Sequence, residues 1–258
     1  MRFLALIALT AGLAGLPAAA QTERPGADSA DAAPPSGAVL RPKGVVELFT
    51  SQGCSSCPRA DALLGRLAKR EDIVALSLSV DYWDYLGWKD TLANPRFSER
   101  QRAYAKARGD GAIYTPQVVV NGVAHVNGSD ESSIDQAIEK TAKTLTPVAV
   151  RLSRDKDHLV VQAAAAPPGT PPKEATLWLA VISRSVTVPI ARGENQGKTV
   201  TYNHVVRELI PIGLWNGKAM TVELQRDTFM RPDTDACAVL VQQGKAGPIV
   251  GAAMLRQF

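Results

Sequence analysis

The stretch Val45-Val46-Glu47-Leu48-Phe49-Thr50-Ser51-Gln52-Gly53-Cys54-Ser55-Ser56-Cys57-Pro58 decides how the rest of the chain is read. An apolar, strand-like run leads into two cysteines with two residues between them. An amphipathic helical pattern through Leu63, Leu64 and Leu67 follows. A cysteine pair at such a strand-to-helix junction has the form of a redox-active dithiol. The first backbone N–H groups of a helix lack partners within it, and the positive end of the dipole lies there, so a cysteine beside them is favoured as thiolate. The thiolate is the nucleophile of thiol–disulfide exchange. A second cysteine one turn later can then attack the mixed disulfide and release the partner. Cys54 is accordingly expected near the helix N-cap as the attacking residue, with Cys57 in the first turn as the resolving one. Pro58 is tolerated there, because first-turn donors have no helical acceptor to lose.

The composition limits the alternatives. The chain has 258 residues, 45% of them apolar, and a formal net charge of +4. That is enough apolar material for a core, and too little charge, too scattered, for a nucleic-acid surface. Residues 1–20 carry Arg2, the apolar run Phe3 to Leu16 and a small-residue end at Ala18-Ala19-Ala20, the pattern of a signal peptide. Residues 21–43, rich in Pro, Gly, Ala and Asp, read as a flexible linker. No later stretch is long and apolar enough to span a bilayer, so no membrane span is expected after signal cleavage. The expectation is an exported protein, periplasmic or secreted if the chain is bacterial. Export leaves a second reading of Cys54 and Cys57 open, as a structural disulfide. Cys237, inside Ala236-Cys237-Ala238-Val239-Leu240, reads as a buried free thiol in a strand.

Three further features cluster around the cysteines in this reading. Glu47 interrupts a run that is apolar on both faces; a carboxyl buried there is expected to have a raised pKa, to lie beneath the cysteines and to manage the proton of Cys57. After a second strand, Ile73 to Val80, comes Asp81-Tyr82-Trp83-Asp84-Tyr85-Leu86-Gly87-Trp88. Loops at the carboxyl ends of strands line ligand crevices in open α/β folds. Tyr82 and Trp83 are therefore expected at the substrate site, either as a docking wall or as a plug for an inserted helix. Asn94-Pro95 opens that helix, which continues from Phe97 to Ala107. In Tyr114-Thr115-Pro116-Gln117-Val118-Val119-Val120-Asn121-Gly122, a proline ahead of a β run marks a strand start or a special turn, and Asn-Gly signals a hairpin. Ser129 is the expected cap of a helix through Ile134, Ala137 and Ile138. From Pro147 onward short β runs follow one another without a convincing helix, the texture of a sandwich of roughly seven or eight strands.

Taken together, the cysteine stretch, Asp81-Tyr82-Trp83-Asp84 and Tyr114-Thr115-Pro116-Gln117 resemble a family of exported, thioredoxin-like bacterial proteins known mainly as a domain of unknown function. The resemblance implies an α/β thioredoxin-like domain with a helical insertion over residues 44–146, followed by an all-β sandwich-like domain over 147–258. It also implies a cis-proline at Pro116 facing the cysteines, with Thr115 aligning a bound peptide strand, and an acidic partner at Glu47. Arg192-Gly193-Glu194-Asn195 and Tyr202 to Arg207 resemble the same family's C-terminal part; a turn and a strand that hold the sandwich together is the plainer account of them. The leading functional expectation is thiol–disulfide exchange on protein or small-molecule thiols and disulfides, with no cofactor. Two others stand beside it: Cu(I) handling by Cys54 and Cys57 with His125 assisting, and a redox-inert partner-binding protein. With three cysteines and three histidines, a closed four-ligand zinc site is not expected.

Overall fold

Strand β1 (Gly44–Thr50) lies at the centre of the architecture, buried along its whole length. Its apolar residues alternate between two cores, as the two-residue period of a strand requires. Val46 and Leu48 pack with Ala60, Leu63, Leu64 and Leu67 of α1 (Cys57–Leu67), whereas Val45 and Phe49 pack with Phe97 and Tyr104 of α2 (Pro95–Arg108). The computed structural model describes residues 42–145, 148–169 and 173–258, all within one compact unit. The expected signal peptide, most of the expected linker and the 146/147 domain boundary lie outside the described residues.

Between α1 and α2 runs β2 (Ile73–Ser79), parallel to β1. After α2 come the antiparallel pair β3 (Gln117–Val120) and β4 (Ala124–Asn127), then α3 (Glu131–Thr141). Asn94 caps α2 by accepting from the N–H of Arg96. The cap of α3 is Asp130 rather than Ser129, accepting from the N–H of Ser133. The second half comprises β5 (Val150–Asp155), β6 (His158–Ala163), β7 (Ala175–Pro189), β8 (Thr199–Trp215), β9 (Met220–Gln225), β10 (Ala236–Gln243) and β11 (Ile249–Leu255).

The expected thioredoxin-like α/β domain followed by a separate β-sandwich is not what the chain forms. Four strands of the second half continue the sheet of the first, in the order β11-β10-β7-β8-β2-β1-β3-β4. Among the described residues only β5, β6 and β9 make a second sheet, and only three short α-helices occur in an otherwise mostly β structure. The seam is β8 against β2, parallel, with Ser77 opposite Val205.

The misreading has local causes. Ser183-Arg184-Ser185 interrupts the apolar pattern, yet β7 runs through it for 15 residues. The polar residues there find partners in a distant segment: Ser183 Oγ donates to the carbonyl of Asp233, and Arg184 donates to the Asp235 carboxylate from both its backbone N–H and Nε. In β8 the strand passes through Pro211, which sits opposite Trp178 where the register with β7 slips, so the missing N–H costs little. Pairing between strands so far apart in the chain leaves no local signature.

Glu47 shares the odd-numbered side of β1 with Val45 and Phe49, and so faces α2. Arg100 Nε donates to its Oε1 at 2.7 Å, and the Tyr104 hydroxyl donates to Oε2 at 2.5 Å. Gln242 of β10 donates in turn to the Tyr104 hydroxyl. Burial works against the charge of Arg100, but Glu47 and Tyr104 outweigh it and hold the guanidinium protonated. Replacing one partner strands the other charge in the interior. Arg100→Met should cost about 3–5 kcal/mol in urea unfolding, and the apolar pair Glu47→Leu/Arg100→Met should recover much of that loss. A double variant less stable than Arg100→Met would contradict this account of the pair.

Candidate functional site

The chain leaves β1 at Thr50, and residues 51–57 form two successive turns before the helix begins: the N–H of Cys54 donates to Ser51 O, and that of Cys57 donates to Cys54 O. Cys54 and Cys57 are disulfide-bonded. Ser56 occupies the N-cap, Cys57 is the first helical residue and Pro58 follows. Cys57 is thus in the first turn, as the sequence suggests, and Cys54 sits two residues before the cap. Gly53 is required by close approach, since a Cβ there would stand 3.0 Å from Trp83 Cβ.

Three segments hold this double turn. From the aromatic segment, Asp90 accepts from the N–H of Gln52 at 2.8 Å, and Trp88 Nε1 donates to Gln52 Oε1 at 2.8 Å. Trp83, packed over Gly53, donates through Nε1 to Thr115 Oγ1 at 2.8 Å. The Thr115–Pro116 peptide bond is cis. Pro116 is brought against the start of α1 at Gly128, where an added Cβ would meet Pro116 Cβ at 3.1 Å and Ala60 Cβ at 3.2 Å. The third segment comes from the tip of the β7–β8 hairpin. Asn195, buried, donates to the carbonyls of Gln52 and Cys54 at 2.9 and 2.8 Å, and Glu194 accepts from the N–H of Ser55.

Of the residues singled out from sequence, Cys54, Cys57, Trp83, Thr115 and Pro116 come together. Tyr82 adjoins Trp83 but spends its hydroxyl on Gln101, and both rings are half-buried. Glu47 does not join them. The sheet lies between it and α1, because residues 46, 48 and 50 face that helix and residue 47 cannot. His125 is committed elsewhere, with Nδ1 bonded to the Tyr114 hydroxyl and Nε2 3.2 Å from Asp110. Among the described residues no group of three or more His, Cys, Asp or Glu is arranged to hold a metal ion. Cys237 is a fully buried free thiol on β10, and burial pushes its pKa up to about 12.

A second carboxyl takes the place expected of Glu47. Asp61 lies four residues after Cys57, one turn on along the same buried face of α1. Thr50 Oγ1 donates to its Oδ1 at 2.8 Å, while Oδ2 has no hydrogen-bond partner among the described residues. Burial, opposed by the Thr50 bond and assisted by the charge of Asp90, raises Asp61 to about 8. Asp90 is raised by burial to about 6. Tyr202 of β8 is buried nearby, kept un-ionised by its burial and by Asp61 and Asp90. The signal for Asp61 was present in the sequence. Positions 57, 60, 61 and 64 form one helix face, and a carboxyl among three apolar residues there is out of pattern. Asn195 breaks no such pattern; its segment, Arg192-Gly193-Glu194-Asn195, is marked only by the family resemblance, and it holds the cysteine turn rather than a separate sandwich.

Residues 45–242 match the family described as protein of unknown function DUF1223. The chain belongs to that family. A crystal structure of a protein from Agrobacterium tumefaciens is similar to this DUF1223 chain, with 37% identity over 83% of this chain and 94% of the other, and a TM-score of 0.73. No curated protein matches it. Among the described residues, no helix is long and apolar enough to cross a membrane.

The elevated Asp61 makes stability depend on pH in a definite direction. Between about pH 4 and 8 the native state retains a proton that the unfolded chain releases, so this contribution is complete at low pH and lost as pH rises toward 8. Asp61→Asn abolishes the effect. The stability of the variant relative to the parent should rise by up to about 1.4 kcal/mol per pH unit across that window. Urea unfolding of both disulfide-bonded proteins at several pH values measures it. A difference that stays constant with pH would show that Asp61 ionises as readily when folded as when unfolded.

Proposed function

We propose that this protein is a thiol–disulfide oxidoreductase acting on protein or small-molecule thiols outside the cytoplasm. The observation that carries the reading is the oxidised Cys54–Cys57 pair at the start of α1, with a buried, protonated carboxyl one turn beyond Cys57. A substrate thiolate attacks Cys54 Sγ and the Cys54–Cys57 bond breaks. Cys57 leaves as thiolate and takes the proton of Asp61. A second substrate thiolate then attacks the substrate sulfur of the mixed disulfide, releasing Cys54. Two substrate thiols become one disulfide, and the two electrons remain on the reduced cysteine pair. Run in reverse, the same sequence reduces a substrate disulfide.

Each neighbour has a role in this scheme. Asp61, at about 8, is nearly matched to an ordinary thiol near 8.5, which is the condition for efficient proton transfer in both directions. Thr115 and Pro116, fixed by Trp83, present backbone beside the turn for a bound segment to pair with. Asn195 and Glu194 hold the turn from the hairpin side. Both cysteines are almost completely buried, so attack on Cys54 requires the surrounding turn to open.

The test is equilibration of the full chain with a graded series of reduced and oxidised glutathione, with the fraction oxidised read by mass after alkylation. A single reversible two-electron couple for Cys54 and Cys57 is expected, and Cys54→Ser should lose exchange activity altogether. A pair that stays oxidised across the whole series, or a Cys54→Ser variant with full activity, would overturn the proposal.

A further inference from the structure

A large cleft among the described residues lies away from the cysteines. It lies along α2, against β7, β8 and the β10–β11 turn, and has a volume of about 1150 Å³. No residue of the 51–57 turn lines it, and by the alternation of β1 it opens on the side of the sheet opposite to α1. Its size lies just above the usual range of small-molecule clefts, roughly 300–1,000 Å³.

Its lining is apolar below and cationic above. Phe97, Ala103, Trp178, Leu209 and Pro211 supply apolar surface. Arg96, Arg102, Lys106 and Lys245 are exposed at its edge, and none of the four is ion-paired to a carboxylate among the described residues. Of the two glutamates in the lining, Glu208 is already paired with Arg231, which leaves only Glu99 against four cations.

Deeper in the lining is Arg100, whose side chain is 7% exposed. Its Nε and Nη2 are committed to Glu47 and Tyr104, while Nη1 has no partner among the described residues. Trp178 adds a second unpartnered donor, a buried indole Nε1–H. A buried donor without an acceptor costs free energy unless something fills it, and Trp178 Nε1 lines this cleft beside Arg100.

We infer that this cleft binds an amphiphilic carboxylate, a free fatty-acid-like molecule whose chain lies on the Trp178 and Phe97 surface and whose head is held by Arg100 and the cationic edge. Arg100 Nη1 offers its N–H donors to a carboxylate oxygen, and a four-to-one excess of edge cations selects against neutral and cationic amphiphiles of the same length. The inference does not depend on the redox reading.

Calorimetric titration of the full chain with dodecanoate, and separately with dodecyltrimethylammonium, both below their micelle concentrations, tests it. Saturable one-site binding of dodecanoate is expected, at least about tenfold tighter than the cation. Ala103→Trp, which fills the apolar surface, and the exposed pair Arg102→Glu/Lys106→Glu, which reverses the edge, should each weaken dodecanoate at least about tenfold. Equal affinity for the two amphiphiles would overturn the inference, as would undiminished dodecanoate binding in Arg102→Glu/Lys106→Glu. The latter pair lies on the surface and decides the matter even where Ala103→Trp fails to fold.

Discussion

Strand β1 is covered on both faces, and the two-residue alternation of its side chains determines which chemistry faces which core. Leu48 and Thr50 point to α1, so the one hydroxyl on that side reaches Asp61. Glu47 and Phe49 point to α2, so the carboxylate on that side meets Arg100 and Tyr104. Two buried carboxyl groups thus lie near the same strand with opposite solutions to the cost of burial. One is paired with a guanidinium and a phenol. The other has a single hydroxyl, an unpartnered oxygen and a pKa pushed up to about 8, and gives up its charge instead. The first arrangement locks strand to helix. The second leaves a transferable proton one turn from Cys57.

The second half of the chain completes what the first half begins. β8 extends the sheet beside β2, and its hairpin with β7 reaches back over the cysteine turn, where Asn195 takes up the carbonyls of Gln52 and Cys54. Tyr202, on the same strand, closes the pocket of acids beneath. The cysteine turn and the hairpin that holds it therefore belong to one sheet.

Much of the site could be read from the chain, and the reason is that its signals are local. Cys54 and Cys57 ahead of an amphipathic helix, Thr115-Pro116 ahead of a Val-rich hairpin, and Asn94-Pro95 at a helix start each carry their meaning within a few residues. What failed was anything that depended on pairing across the chain. The strand run through Ser183 and Arg184 is sustained by Asp233 and Asp235, about fifty residues away in sequence, so no window around it predicts a continuous strand. The expected fold accordingly split one shared sheet into an α/β part and a separate sandwich. Glu47 failed for a different reason: the burial was read correctly, but its odd position on β1 was not set against the side on which α1 packs. The same alternation would have pointed to Asp61.

The central claim is that Asp61, and not Glu47, supplies the proton to the departing Cys57. The rate at which a small thiol reduces the Cys54–Cys57 disulfide, divided by the concentration of attacking thiolate and followed across pH, measures this most directly. The account expects the normalised rate to be high below about pH 8 and to fall as pH rises through that value, because Asp61 then lacks its proton. In Asp61→Asn the normalised rate should be lower and flat with pH. A variant that retains the parent's pH profile would contradict the account.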